Sequence, residues 1–251
     1  MPIVATDLKI WTGASMPEDD TAVSGGVIQD DAAAAGGFVP EFVDISAADT
    51  VEVVSDGADT RTITIYGRLA SGSIDSEALV LNGTTQVNGA KTYERILKCV
   101  LSAKDAARTV TVRKAADNVT IFTLGPNTKE GRRLLYNAAS AAAQKIRYEL
   151  VYFKNHHATL ALQSASLKLT SDPAARIKIG VAAAKGDLGT VATRLTAPGG
   201  ITFVDDNVAA SVPTGTLGAG EKIGVWVQQD LPASDGPQKA AWTIELSGNT
   251  T

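Results

Sequence analysis

The chain has two histidines, and they stand side by side. His156 and His157 lie in Arg147-Tyr148-Glu149-Leu150-Val151-Tyr152-Phe153-Lys154-Asn155-His156-His157-Ala158-Thr159-Leu160-Ala161-Leu162-Gln163. Imidazole is the side chain best suited to moving a proton near neutral pH or to binding a transition metal. Adjacency works against both uses. Neighbours on a strand point to opposite faces and in a turn they splay, whereas two ligands for one metal need spacings such as i, i+2 on a strand or i, i+4 on a helix. With one cysteine, Cys99, and no third histidine, a zinc set cannot be completed. The expectation is a pair of turn histidines that bond nearby backbone or face a neighbouring subunit, with no metal and no other cofactor.

The remaining candidates for chemistry fare no better. Glu18-Asp19-Asp20, Asp30-Asp31 and Asp205-Asp206 lack the alternating oxygen ligands and the sharp-turn glycine of a calcium loop. Carboxylate-pair hydrolysis wants two acids in one cleft, and adjacent loop acids do not promise that. Ser71-Gly72-Ser73 has no strand-to-helix setting in which to act as a nucleophile elbow. Gly215 to Gly220 lacks the Gly-Lys-Ser/Thr ending of a phosphate loop. Cys99 reads as a small buried hydrophobe. No catalytic residue emerges, so the chain reads as a non-enzyme, and a small-molecule ligand is not expected.

The totals fit that reading. At 251 residues the chain can bury a core without disulfides. Its net charge is −4 with no cluster of basic residues, so direct binding of nucleic acid is not expected. The start, Met1-Pro2-Ile3-Val4-Ala5-Thr6-Asp7, has no basic segment leading into an apolar run, and no later stretch approaches a membrane span. A soluble, cytoplasmically made protein without a membrane partner is expected. Aromatic residues make up 5%, which suits thin β layers and small-residue contacts between subunits better than a lined pocket.

The elements that must carry these residues are strands. Thr62 to Leu69 alternates polar with apolar; Glu77 to Leu81 runs into Asn82-Gly83, a strong turn dipeptide. Further strands are expected at Thr92 to Leu101, Thr109 to Arg113, Val119 to Leu124, Lys145 to Phe153, Ala158 to Leu162, Ser166 to Leu169, Arg176 to Val181, Ile201 to Val204, Lys222 to Gln229 and Ala240 to Leu246. The first of these also fits a helical period, and the strand is preferred because its neighbours are strands. On this reading residues 147 to 163 form a hairpin with the histidines at its tip. Glu130 to Lys145 is open between a short helix and an irregular linker. Residues 12 to 40 are polar and small, so the N-terminal 40 residues are expected to be an extended arm, mobile or ordered by a neighbouring subunit.

The segment Tyr148 to Leu160 resembles a pattern in virion structural proteins of tailed bacteriophages. So do Thr196-Ala197-Pro198-Gly199-Gly200-Ile201-Thr202-Phe203, Leu217 to Val227, the closing Trp242 to Gly248, and the opening Ala5 to Ile10 with Ser24-Gly25-Gly26. The resemblance covers about residues 1 to 45 and 132 to 251, and the middle looks inserted. It implies an all-β chain of two antiparallel β-sandwich domains, immunoglobulin-like or jelly-roll-like, one inserted in the other. The divisions are 1–45, arm and first part of the outer domain; 46–131, the inserted sandwich; and 132–251, the main part of the outer domain. The implied function is architectural: a homo-oligomer in the tail or neck of a virion, bound to other virion proteins through β edges and the arm. Capsid decoration is the near alternative, and a carbohydrate-binding or host-adhesion module the one from another class. The expected contact residues are Ile10, Trp11, Phe38, Phe42, His156 and His157.

Overall fold

The computed structural model describes residues 2–17, 19–28, 37–38, 42–135, 142–186, 189–234 and 241–250, with backbone only at 28 and 37–38. The chain is all-β, and it divides into two compact units: Met1–Ile28 with Asn137–Thr251, and Gln29–Tyr136.

The outer unit begins with β1 (Leu8–Ser15) and β2 (Ser24–Ile28), which pair antiparallel. The chain then builds the inner unit from β3 (Gly37–Phe38), β4 (Val51–Ser55), β5 (Thr62–Leu69), β6 (Ile74–Val80), β7 (Val87–Asn88), β8 (Tyr93–Leu101), β9 (Val110–Lys114), β10 (Thr120–Leu124) and β11 (Glu130–Arg132). One inner sheet runs β3-β11-β8-β5-β6 and the other β10-β9-β4-β7. Alternation decides which side chains face inward. Ile63 and Ile65 of β5, with Tyr93, Ile96, Cys99 and Leu101 of β8, meet Val51, Val53, Val110, Val112, Phe122 and Leu124 from the second sheet in one core. Each such aliphatic burial is worth about 1.5–3 kcal/mol. The segment Tyr93–Leu101 is a strand, as its neighbours require.

The outer unit resumes with β12 (Lys145–Asn155), β13 (Leu162–Ser171), β14 (Ile177–Val181), β15 (Thr190–Val191), β16 (Ala209–Ser211), β17 (Thr216–Leu217), β18 (Lys222–Leu231) and β19 (Thr243–Thr250). Its first sheet runs β14-β18-β12-β1, with β2 on β1 and β15 on β2. In its second sheet β13 carries β19 along one edge and β16 and β17 along the other.

Several expectations change. Residues 147 to 163 are not a hairpin: β12 pairs with β1 and β18, whereas β13 pairs with β16, β17 and β19. Both edges of β12 are occupied, so the chain must leave that sheet, and the histidine turn is a crossover between sheets. Residues 8 to 28 are not a free arm. β1 supplies the partner that the edge of β12 lacks, with Leu8 opposite Asn155 and Thr12 opposite Val151; residues 29–36 and 39–41 lie outside the described residues. Ile201 to Val204 makes only an isolated bridge, Val204 to Ile179, after the Pro198-Gly199-Gly200 turn. The helix-or-linker segment gives strand at Glu130–Arg132 and again from Lys145, with 136–141 outside the described residues.

Candidate functional site

The histidine turn is organised by Asn155, the last residue of β12 and fully buried. Its side-chain amide donates to the carbonyls of Leu160 at 2.8 Å and Leu217 at 3.1 Å, and its Oδ1 accepts from the His157 amide at 3.0 Å. Its backbone N–H donates to Glu221 O and its carbonyl accepts from Gly220 N. A buried amide must be satisfied in this way, or it costs about 1–3 kcal/mol.

Each histidine has its own task. His157 Nδ1 accepts from the amides of Thr159 at 3.2 Å and Leu160 at 2.9 Å, closing the turn. The His156 amide donates to Asp7 O at 2.7 Å, while its Nε2 accepts from Trp11 Nε1 at 3.1 Å, the ring centroids lying 5.9 Å apart. Indole and amide N–H groups only donate, so the accepting nitrogens carry no proton. Both rings are placed as hydrogen-bond acceptors in a structural knot, His157 from backbone amides and His156 from the Trp11 indole. Among the described residues no group of three or more His, Cys, Asp or Glu is placed to hold a metal ion.

The other expected contact residues are scattered. Trp11 is buried and bonded to His156, and Ile10 beside it is half-buried. Phe42 stacks on Phe122 at 4.3 Å in the inner core, with the Arg133 guanidinium 4.8 Å from its ring. Asp44 holds Arg133 at 2.7 Å and Arg95 at 3.0 Å. Phe38 lies on β3 by its backbone, and its side chain is outside what is described. Cys99 is fully buried, which pushes its thiol far up, so it is a core residue.

The acidic runs are structural where they are described. Asp19 accepts from the hydroxyl and amide of Thr21 and the amide of Ala22, which hold its carboxyl below the usual range. Asp20 is pushed up by burial, but hydrogen bonds from Arg147 at 2.5 Å and Lys145 at 2.7 Å outweigh that and hold it low. Asp205 is lowered by the Asp206 amide and by Lys178 at 3.2 Å. Glu18, Asp30 and Asp31 lie outside the described residues.

A second buried polar group escaped the sequence reading. Glu149 of β12 pairs with Arg194, both essentially inaccessible. The Arg194 backbone bridges the Tyr148 amide and the Ala22 carbonyl, tying two loops to the strand. The signal was present: Arg147 and Glu149 interrupt an otherwise apolar run, and a charge in a central strand requires a partner.

No family model and no curated protein matches the chain. Among solved structures, the crystal structure of the infectious bursal disease virus VP2 subviral particle aligns at 11% identity over 98% of this chain and 68% of that one, with a TM-score of 0.15, too low to carry an argument. No described helix is long and apolar enough to cross a membrane.

Proposed function

We propose that the chain is a non-enzymatic structural protein of a tailed-bacteriophage virion, present in multiple copies in the tail or neck and joined to its neighbours through β edges. The observation that carries the contact mode is β6. It ends its sheet, pairs on one side with β5, and exposes Ile74 at 42% and Val80 at 60%. Such an edge is a template for another strand where charge does not block it, and the two charges on β6 are tied within the chain, Asp75 to Lys91 and Glu77 to the Ala90 amide. The phage assignment rests on the resemblance at both ends of the chain. The architectural role is further supported by the histidines, both spent on holding a turn. The arm no longer enters the mechanism over residues 8 to 28, since its pairing partners lie in its own unit.

The test is the mass of the purified protein by light scattering, together with electron microscopy of particles that lack it, incubated with the protein. Defined oligomers and ordered density on one part of the particle are expected. Val80→Lys should reduce the oligomer to a monomer and leave the fold intact. A wild-type chain that stays monomeric and leaves the particles bare overturns the reading.

A further inference from the structure

The crossover from β12 to β13 is held by three hydrogen bonds whose acceptors are imidazole nitrogens: one from Trp11 to His156 Nε2 and two from Thr159 and Leu160 to His157 Nδ1. All three donors are donor-only groups, so each bond exists only while its nitrogen keeps a lone pair. A protonated ring offers two N–H groups and no acceptor. Protonating His156 turns the Trp11 contact into two donors face to face; protonating His157 does the same to both amides that close the turn.

We propose that this turn is an acid-operated release built into the outer unit, holding the start of β1 against β12 at neutral pH and letting it go as the histidines take up protons. The proposal does not depend on the virion reading, since it concerns the isolated chain. Its geometric basis is where the bonds sit. The His156 amide bond to Asp7 O lies just before β1, and the Trp11 contact lies midway along its ladder with β12, which runs from Leu8 opposite Asn155 to Thr12 opposite Val151. The loss of a lone pair on two adjacent rings undoes the tie to β1 and the two ties that close the turn at once.

Among the described residues, charged groups of both signs lie around the turn. Asp7, on the turn before β1, gives its carbonyl to His156 and its carboxylate to the Val4 amide. Lys9 and Lys154 oppose each other across β1 and β12, and Lys154 also opposes Lys222 of β18. Glu221, whose carbonyl accepts from Asn155, is held by Lys185 at 2.6 Å. Asp7 favours added positive charge and the lysines oppose it. Lys185 and the Gly218 amide hold the Glu221 carboxyl below its usual range.

The experiment follows the indole N–H signals of the three tryptophans and the backbone amides by NMR, from about pH 7.5 to about pH 5.5, which spans the ordinary imidazole titration. The Trp11 signal is assigned through Trp11→Phe. In the wild type the Trp11 indole and the Thr159 and Leu160 amides should shift with a common transition. Their exchange, corrected for intrinsic rate, should speed up by about tenfold, and the Trp226 and Trp242 signals should stay still. The paired variant His156→Gln with His157→Asn places an amide oxygen near each accepting position without a titrating group, and should flatten the profile. Wild-type signals that do not move overturn the proposal. So does an unchanged transition in the paired variant, which would assign it to a carboxylate. If that variant does not fold, the wild-type titration of the Trp11 and Leu160 signals decides alone.

Discussion

A buried charge is the costliest kind of residue to leave without a partner, and Glu149 of β12 is one. Glu149 and Arg194 are within a few percent of complete burial, so Arg194→Met should destabilise the outer unit by about 3–5 kcal/mol through the carboxylate it strands. Adding Glu149→Leu should recover most of that loss, measured by urea denaturation of both variants. A double variant as unstable as the single one would mean that the arginine matters by shape. Acid acts at other residues. The Asp59 carboxyl is held low chiefly by its hydrogen bond to Arg61, against burial, and Asp20 is low for the reasons given above. A carboxyl whose folded value lies below its unfolded one stabilises fully above the unfolded value, about 3.9 for aspartate, and that stabilisation goes as pH falls through the folded value. In the His156→Gln, His157→Asn background the urea midpoint should therefore hold steady down to about pH 4 and fall below it. A fall that begins near pH 6 in that background would contradict the assignment.

At the scale of elements, β2 depends on a glycine. Gly25 has φ +96°, a conformation that other residues resist. An added Cβ would also lie 2.5 Å from the Gly189 carbonyl and 2.7 Å from the Trp226 ring. Gly25→Ala should cost at least about 1–3 kcal/mol by overpacking alone and should loosen β15, which pairs with β2 through Gly25 and Ser24. Thermal melting and amide exchange at Thr190 and Val191 report both effects, and an unchanged melting temperature would show that the backbone relaxes freely there. Most strands could be read from alternation, as Thr62 to Leu69 was to the residue. Pairing could not. The Ala158 to Leu162 run looks like the return limb of a hairpin because it is apolar and follows a polar turn, yet strand formation begins only at Leu162 and in another sheet.

For the whole molecule, the inner unit closes its core, among the described residues, with side chains from Phe42 to Leu124. Gln29–Tyr136 expressed by itself should therefore fold cooperatively, with dispersed amide signals and a single melting transition; a collapsed, poorly dispersed spectrum would show that it needs its host. Composition, alternation and turn residues by themselves determined that the chain is all-β, that Cys99 is interior, and that His156 and His157 occupy a turn, because these follow from local backbone preference and the apolar period. Only the tertiary structure decided that the turn crosses between sheets, that the first strand completes the edge of β12, that Trp11 donates to the His156 ring and that Asn155 ties the turn to its surroundings. Those facts depend on residues 145 positions apart, as Trp11 and His156 are, and no local pattern encodes which strand edge remains open until the others have paired.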